Sequence, residues 1–403
     1  MNYGAAFRTL VILFFLWGFL TALNDILLPH VKAIFDLNYT RASLVQFCFF
    51  VTYGLLGIPS GVLVERMGHK RGIVTALVVM AIGALLFLPA ASMAIYGLFL
   101  LALFVLATGV VILQTAANPF VARLGSAKTA ASRLNLSQAF NSFGHTIAPP
   151  LGAYFILRDT ENMSAAEAVK TVQPPYLVLA VSMLILAFIF WRITLPKLQS
   201  QKRVGGGSIF NHGNFVWGIG AIFLYVGAEV AIGSYLVSFF EKPEIGGLTA
   251  ERAGYFVSFY WGAAMVGRFL GSAILQKVPA PRVLMVNAAG AIVLVTATIF
   301  LSGWTAVWTI LAVGLFNSIM FPTIFTLAID GLGEGTSRAS GYLVAAIVGG
   351  AIVPAIMGWW ADQYDLQQAF LIPAVCYAYI LYYACNSSRY VAPGATDEDG
   401  LYA

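Results

Sequence analysis

The chain has 403 residues and a net charge of +5, with 60% hydrophobic and only 10% charged residues. Soluble domains run about 45–50% apolar and about 25% charged. This balance excludes a water-soluble enzyme and a disordered chain, and the small, diffuse basic excess excludes a nucleic-acid binder. Cys48, Cys376 and Cys385 all lie in apolar stretches and form no metal or disulfide spacing, so they read as small buried hydrophobes.

A helix crossing a bilayer needs about 20 residues. Hydropathy along the chain predicts twelve such spans: 8–29, 43–64, 72–91, 95–117, 133–157, 174–195, 213–239, 253–276, 282–301, 305–329, 338–361 and 367–386. The first is too long for a cleaved signal peptide and carries Asp25 inside it. The longest polar connector separates six spans from six. The expected organisation is an N-terminal six-helix bundle (1–195), a linker (196–212), a C-terminal six-helix bundle (213–390) and a tail (391–403). With both ends in the cytoplasm, fifteen of the 22 Lys and Arg fall in cytoplasmic segments and six on the opposite side; Arg268 lies within a span. That bias fits a multi-pass membrane protein with both termini in the cytoplasm.

In the first span, Trp17, Thr21, Asn24 and Asp25 share a helix face. A charge in hydrocarbon costs about 2.5–3.5 kcal/mol on insertion scales, so an intramembrane carboxylate points to function. Asp25 can be neutralised by a proton or a cation, which makes it the candidate coupling group. Pro29 breaks the backbone ladder one turn later.

The loop after the second span reads Gly61-VLVERMGHKRG-Ile73. Gly61 and Gly68 permit close packing and a tight turn. Glu65 and Arg66 can pair with a neighbouring span, and Lys70 and Arg71 anchor the loop in the cytoplasm. Together these six residues are a candidate gate. The counterpart in the second half is Gly267-RFLGSAILQKVPAPRV-Leu284. Spans five and eleven also match, with Gly144, Pro149 and Gly152 beside Gly349, Pro354 and Gly358. These echoes suggest two pseudo-symmetric halves, the parallel-repeat design of alternating-access transporters with a site at the repeat interface.

The fourth span ends with Gln114 and Asn118 on one side, followed by Pro119. The fifth carries a polar stripe of Asn135, Gln138, Ser142 and His145, with Asn141 beside it. Planar amides offer donors and an acceptor to sugar hydroxyls, although amides also join helices. In the second half Glu229 lies in span seven, Tyr260, Trp261 and Arg268 in span eight, and Asn317 in span ten. Glu229 can bind substrate hydroxyls, join coupling, or pair with Arg268. Tyr260 and Trp261 can offer a stacking face to a pyranose ring. The expected substrate-binding set is Asn24, Gln114, Asn118, Gln138, Asn141, Glu229, Trp261 and Asn317. No phosphate-binding loop, zinc spacing or nucleophile elbow occurs. An enzyme is therefore not expected, no catalytic residue, metal ligand or cofactor is assigned, and uphill movement draws on an ion gradient.

The blocks Asn24-DILLP-His30, Gln114-TAANP-Phe120, Arg133-LNLSQAFNSF-Gly144 and Phe321-PTI-Phe325 together resemble the fucose–galactose–glucose permease branch of the major facilitator superfamily. The resemblance spans nearly the whole chain. It implies an all-α protein of the bacterial inner membrane with twelve transmembrane helices, acting as a sugar symporter. The branch's first-span acid falls on Asp25 and its span-five glutamine on Gln138, implying cation coupling and sugar contact. Fucose permeases carry an acid where this chain has Gln114. That departure argues against fucose and for the glucose/galactose members; N-acetylglucosamine members are similar. The expectation is import of a neutral hexose with H⁺, ahead of Na⁺, by a monomer in a lipid bilayer. The rivals are a drug or sugar exporter of the same fold and a transport-dead sugar sensor.

Overall fold

The computed structural model describes the backbone of residues 3–35, 39–93, 95–156, 165–196 and 208–387. It describes side chains over 3–22, 47–93, 95–148, 173–196 and 208–387. The expected tail (391–403) and most of the expected linker (196–212) lie outside these residues, as do the side chains of Asn24 and Asp25.

All regular structure among the described residues is helical. The first half comprises α1 (Tyr3–Phe35), α2 (Tyr39–Met67), α3 (His69–Met93), α4 (Tyr96–Ala122), α5 (Ala130–Ile156) and α6 (Ala165–Arg192). The second comprises α7 (Gly213–Glu241), α8 (Ala250–Ile274), α9 (Ala280–Phe300), α10 (Gly303–Asn317), α11 (Met320–Ile329), α12 (Thr336–Ala345), α13 (Gly349–Gln363), α14 (Leu366–Ala369) and α15 (Leu371–Ser387). Ten segments among the described residues are long and apolar enough to cross a membrane. Helices α5 and α8 complete twelve; both are long enough, and their polar residues dilute the apolar signal.

Three predicted spans are not continuous. The tenth breaks at Ser318–Ile319 between α10 and α11. Pro322 has no N–H to give the Ser318 carbonyl four residues back, so the ladder cannot close there. The eleventh passes through a 3₁₀ turn at Ala346–Val348 before the Gly349–Gly350 pair. The twelfth breaks at Phe370, shortly before Pro373. The first helix is longer than its predicted span, because apolar residues extend the pattern at both ends.

By packing, the chain divides into two compact units. One holds Met1–Val121, Phe140–Leu198 and Ser340–Ala345; the other holds Ala122–Ala139, Gln199–Ala339 and Ala346–Ala403. In the first unit α3 packs along α6. In the second, α7 packs against α13, α15 and α11, while α9 lies against α15 and α10.

The glycine repeat has a packing cause within each unit. A Cβ on Gly144 would sit 2.3 Å from the Phe15 carbonyl oxygen of α1. A Cβ on Gly349 would sit 2.0 Å from the Phe223 carbonyl oxygen of α7. Helix one meets helix five, and helix seven meets its eleventh-span counterpart, at a distance only glycine allows. A third close crossing joins α2 and α12. A Cβ on Gly57 would meet the Ala345 nitrogen at 2.5 Å, and one on Gly341 would meet Gly61 Cα at 2.7 Å.

Candidate functional site

The candidate gate turns at Gly68, whose φ of +82° favours glycine. Its N–H donates to the Val64 carbonyl at 2.8 Å, which ends α2. Glu65, Arg66 and Arg71 are exposed, and Gly61 is buried. Lys70 Nζ donates to the Trp191 carbonyl at the end of α6 (2.8 Å). His69 contacts the Ala116 carbonyl oxygen through Nδ1 at 3.0 Å, its ring 5.6 Å from Phe120. Neither of these contacts is legible in the loop's own sequence.

In the first unit, Gln114 and Asn118 are both buried on α4. Gln114 Nε2 donates to the Tyr53 hydroxyl on α2 at 2.9 Å. Pro119 leaves the Thr115 carbonyl without its usual helical donor, and the Ser340 hydroxyl of α12 donates to it at 3.1 Å. Asn141 Nδ2 donates to the Phe14 carbonyl of α1 at 3.0 Å, a contact between helices. His145 lies 3.3 Å from the Thr21 hydroxyl through Nε2. Thr21 belongs to the face expected to carry Asp25.

The second unit holds a continuous polar network. Glu229 Oε1 accepts from the Tyr225 hydroxyl at 2.8 Å and pairs with Arg268 Nη2 at 3.7 Å. The Tyr225 hydroxyl is also 3.1 Å from the Asn317 carbonyl oxygen. Arg268 Nε donates at 3.2 Å to the Ser318 carbonyl, the acceptor that Pro322 leaves open. Asn317 Nδ2 donates to the Tyr260 hydroxyl at 2.7 Å. The buried Oδ1 of Asn317 accepts no hydrogen bond from the described residues. Leaving such an acceptor unpaired costs about 1–3 kcal/mol, so this atom is suited to a ligand donor.

Gln138 is buried on the part of α5 that belongs to this unit, beside Asn135, whose Nδ2 lies 3.4 Å from Thr323 Oγ1 of α11. Trp261 is 44% exposed and packs edge-on against Tyr260, ring centroids 5.1 Å apart. Tyr260 itself is fully buried and acts through its hydroxyl rather than by offering an open ring face.

The structure therefore joins Glu229 to Asn317 through Tyr225, and joins Gln114 to Tyr53. Sequence reasoning passed over Tyr53, Tyr225 and Ser340. One signal was available for the tyrosines. Each of Gln114 and Asn317 stands five residues before a proline, Pro119 and Pro322. Among the described residues, no group of three His, Cys, Asp or Glu side chains is arranged to hold a metal ion.

The family profile described as Major Facilitator Superfamily matches residues 10–347. A glucose/galactose transporter of Brucella abortus is 51% identical over 394 residues, covering 96% of this chain and 95% of that protein. An L-fucose-proton symporter of Escherichia coli is 36% identical over 412 residues, covering 95% and 93%. The crystal structure of the E. coli fucose:proton symporter superposes with a TM-score of 0.89 at 34% identity, covering 96% of this chain and 99% of that one. Twelve helices in two pseudo-symmetric halves are the major facilitator fold. The chain belongs to the Major Facilitator Superfamily.

Proposed function

We propose that the chain is a secondary active importer of a neutral hexose of the glucose/galactose class, driven by a co-transported cation, with H⁺ as that cation. The observation that carries the sugar reading is similarity over nearly the full length to a relative named for glucose and galactose. The proton reading follows the relatives named as proton symporters. Buried neutral amides in apolar helices support the sugar reading, because a neutral polyol needs donors and acceptors rather than a fixed countercharge.

Asn24, Gln114, Asn118, Gln138, Asn141, Glu229, Trp261 and Asn317 form the proposed sugar-binding set, and Asp25 is the proposed coupling group. The loop residues Gly61, Glu65, Arg66, Gly68, Lys70 and Arg71 are the proposed gate. In alternating access Asp25 takes up a proton on one side and releases it on the other, so that empty return is allowed only in one protonation state. The two six-helix halves, the placement in a bacterial inner membrane with cytoplasmic termini and the monomeric state belong to the same proposal.

The test is uptake of labelled glucose, galactose, N-acetylglucosamine and fucose into proteoliposomes under an imposed pH gradient and then an imposed Na⁺ gradient. Glucose or galactose should accumulate under the pH gradient. Accumulation under Na⁺ alone would overturn the proton assignment. Absence of both uptake and counterflow for every sugar would overturn the hexose reading. Asp25→Asn should keep sugar counterflow and lose gradient-driven accumulation; unimpaired accumulation would remove Asp25 from coupling.

A further inference from the structure

The same small arrangement occurs once in each half. In the first, an amide on span four donates to a tyrosine hydroxyl on span two: Gln114 Nε2 to Tyr53 at 2.9 Å. In the second, an amide on span ten donates to a tyrosine hydroxyl on span eight: Asn317 Nδ2 to Tyr260 at 2.7 Å. In both, the amide precedes a proline by five residues. In both, the tyrosine precedes a buried loop-motif glycine by seven or eight residues, Gly61 after Tyr53 and Gly267 after Tyr260. In both, the carbonyl freed by the proline is filled from a different span, Thr115 by Ser340 and Ser318 by Arg268. The coincidence extends through position, donor direction and surrounding backbone chemistry.

Both tyrosine rings are held in place. Tyr53 is 3% exposed, with Phe49 in edge contact at 5.5 Å and Phe50 at 6.5 Å. Tyr260 is fully buried against Trp261, and a Cβ on Gly314 of α10 would sit 2.3 Å from its carbonyl oxygen. A fixed hydroxyl that accepts from an amide NH₂ determines which edge of that amide faces away. For Asn317 the outward group is the side-chain oxygen Oδ1, which accepts no hydrogen bond from the described residues. The buried Tyr377 hydroxyl lies in the same cluster and interacts with the Asn317 side chain. An open acceptor beside a hydroxyl matches the donor–acceptor character of one sugar hydroxyl.

We propose that Tyr53 and Tyr260 are repeat-related positioning residues that lock Gln114 and Asn317 in one amide orientation, and so set which hexose hydroxyls the transporter accepts. The proposal rests on the hexose reading above. It concerns two residues that need not touch the sugar, and it separates orientation of the amides from their mere presence.

The test uses Tyr53→Phe and Tyr260→Phe in proteoliposomes, with KM and kcat measured for glucose and for galactose. Phenylalanine keeps the ring and removes only the hydroxyl. Each variant should raise KM about five- to tenfold, the factor expected from losing one buried neutral hydrogen bond. The ratio of the two sugars' kcat/KM values should shift at least about threefold, kcat should stay within about twofold, and the thermal midpoint should remain close to wild type. Combining Tyr53→Phe with Gln114→Ala should add little to the Gln114→Ala loss. Tyr379→Phe, which loses a bond from its hydroxyl to the Trp217 carbonyl, is the control and should behave as wild type. Wild-type transport with unchanged KM and unchanged sugar ratio in both tyrosine variants would overturn the proposal alone. A wild-type protein that moves neither sugar would overturn it together with the hexose reading.

Discussion

Arg268→Gln removes two contacts from the second unit in one step. It deletes the 3.7 Å pair with Glu229 and the 3.2 Å hydrogen bond to the Ser318 carbonyl. The two side chains are 17% and 13% exposed, so the pair is largely desolvated. Breaking such a pair from one side costs about 3–5 kcal/mol, because the remaining charge stays buried. Glu229 retains the Tyr225 hydroxyl at 2.8 Å, which places the cost at the lower end. With about 1 kcal/mol for the lost carbonyl hydrogen bond, the variant should be less stable by about 4 kcal/mol. The assay is unfolding of purified protein in one detergent, followed by tryptophan fluorescence. A fall of at least about 5 °C in the midpoint is expected. Glu229→Gln combined with Arg268→Gln leaves no buried charge and should recover about 2 kcal/mol of the loss. A single variant within about 0.5 kcal/mol of wild type, or a double variant as unstable as the single one, would refute the reasoning.

Gly349→Ala should destabilise by about 1–3 kcal/mol, since its Cβ would sit 2.0 Å from the Phe223 carbonyl oxygen. Gly97→Ala, which meets nothing within 4 Å, should stay within about 0.5 kcal/mol; equal midpoints for the two variants would contradict the close-crossing account. Gly68→Ala also meets nothing within 4 Å, so its cost, about 1–2 kcal/mol, comes from the +82° φ alone. Gly68→Asn should recover part of it in the same unfolding assay, because asparagine tolerates that conformation. Burial pushes the Asp365 carboxyl up, but hydrogen bonds from Lys242 and the Gln367 N–H, with the Lys242 charge, outweigh it and hold the group below the usual carboxylate range. Its stabilising contribution is therefore present above the unfolded value of about 3.9 and lost as pH falls through the lower folded value. Lys242→Met should lower the midpoint at neutral pH, and the gap should close as the pH is taken below 4. A gap that widens in acid would reverse the assignment.

Much of the architecture was legible because apolar length is a local property. Twenty apolar residues make a span whatever lies beside them, and Gly144 and Gly349 flagged the repeat at positions where backbones meet. The polar candidates were legible as positions, since an amide or acid in an apolar run is conspicuous. Their partners were not. Asn141 is directed onto the Phe14 carbonyl by a neighbouring helix, and Glu229 is shared between Tyr225 and Arg268 by the packing of α7 against α8.

The sequence by itself determined that this chain lives in a membrane, how many times it crosses, that it is built as a repeat, and which side chains interrupt the apolar pattern. Each of these depends on composition or on spacing along one helix. Only the tertiary structure decided where the tenth span breaks and which groups fill the carbonyls left by Pro119 and Pro322. The donors are Ser340 and Arg268, 225 and 50 residues away in the chain from the carbonyls they fill. No local pattern encodes such a pairing, because it exists only once two helices have packed and a buried backbone acceptor must find a donor.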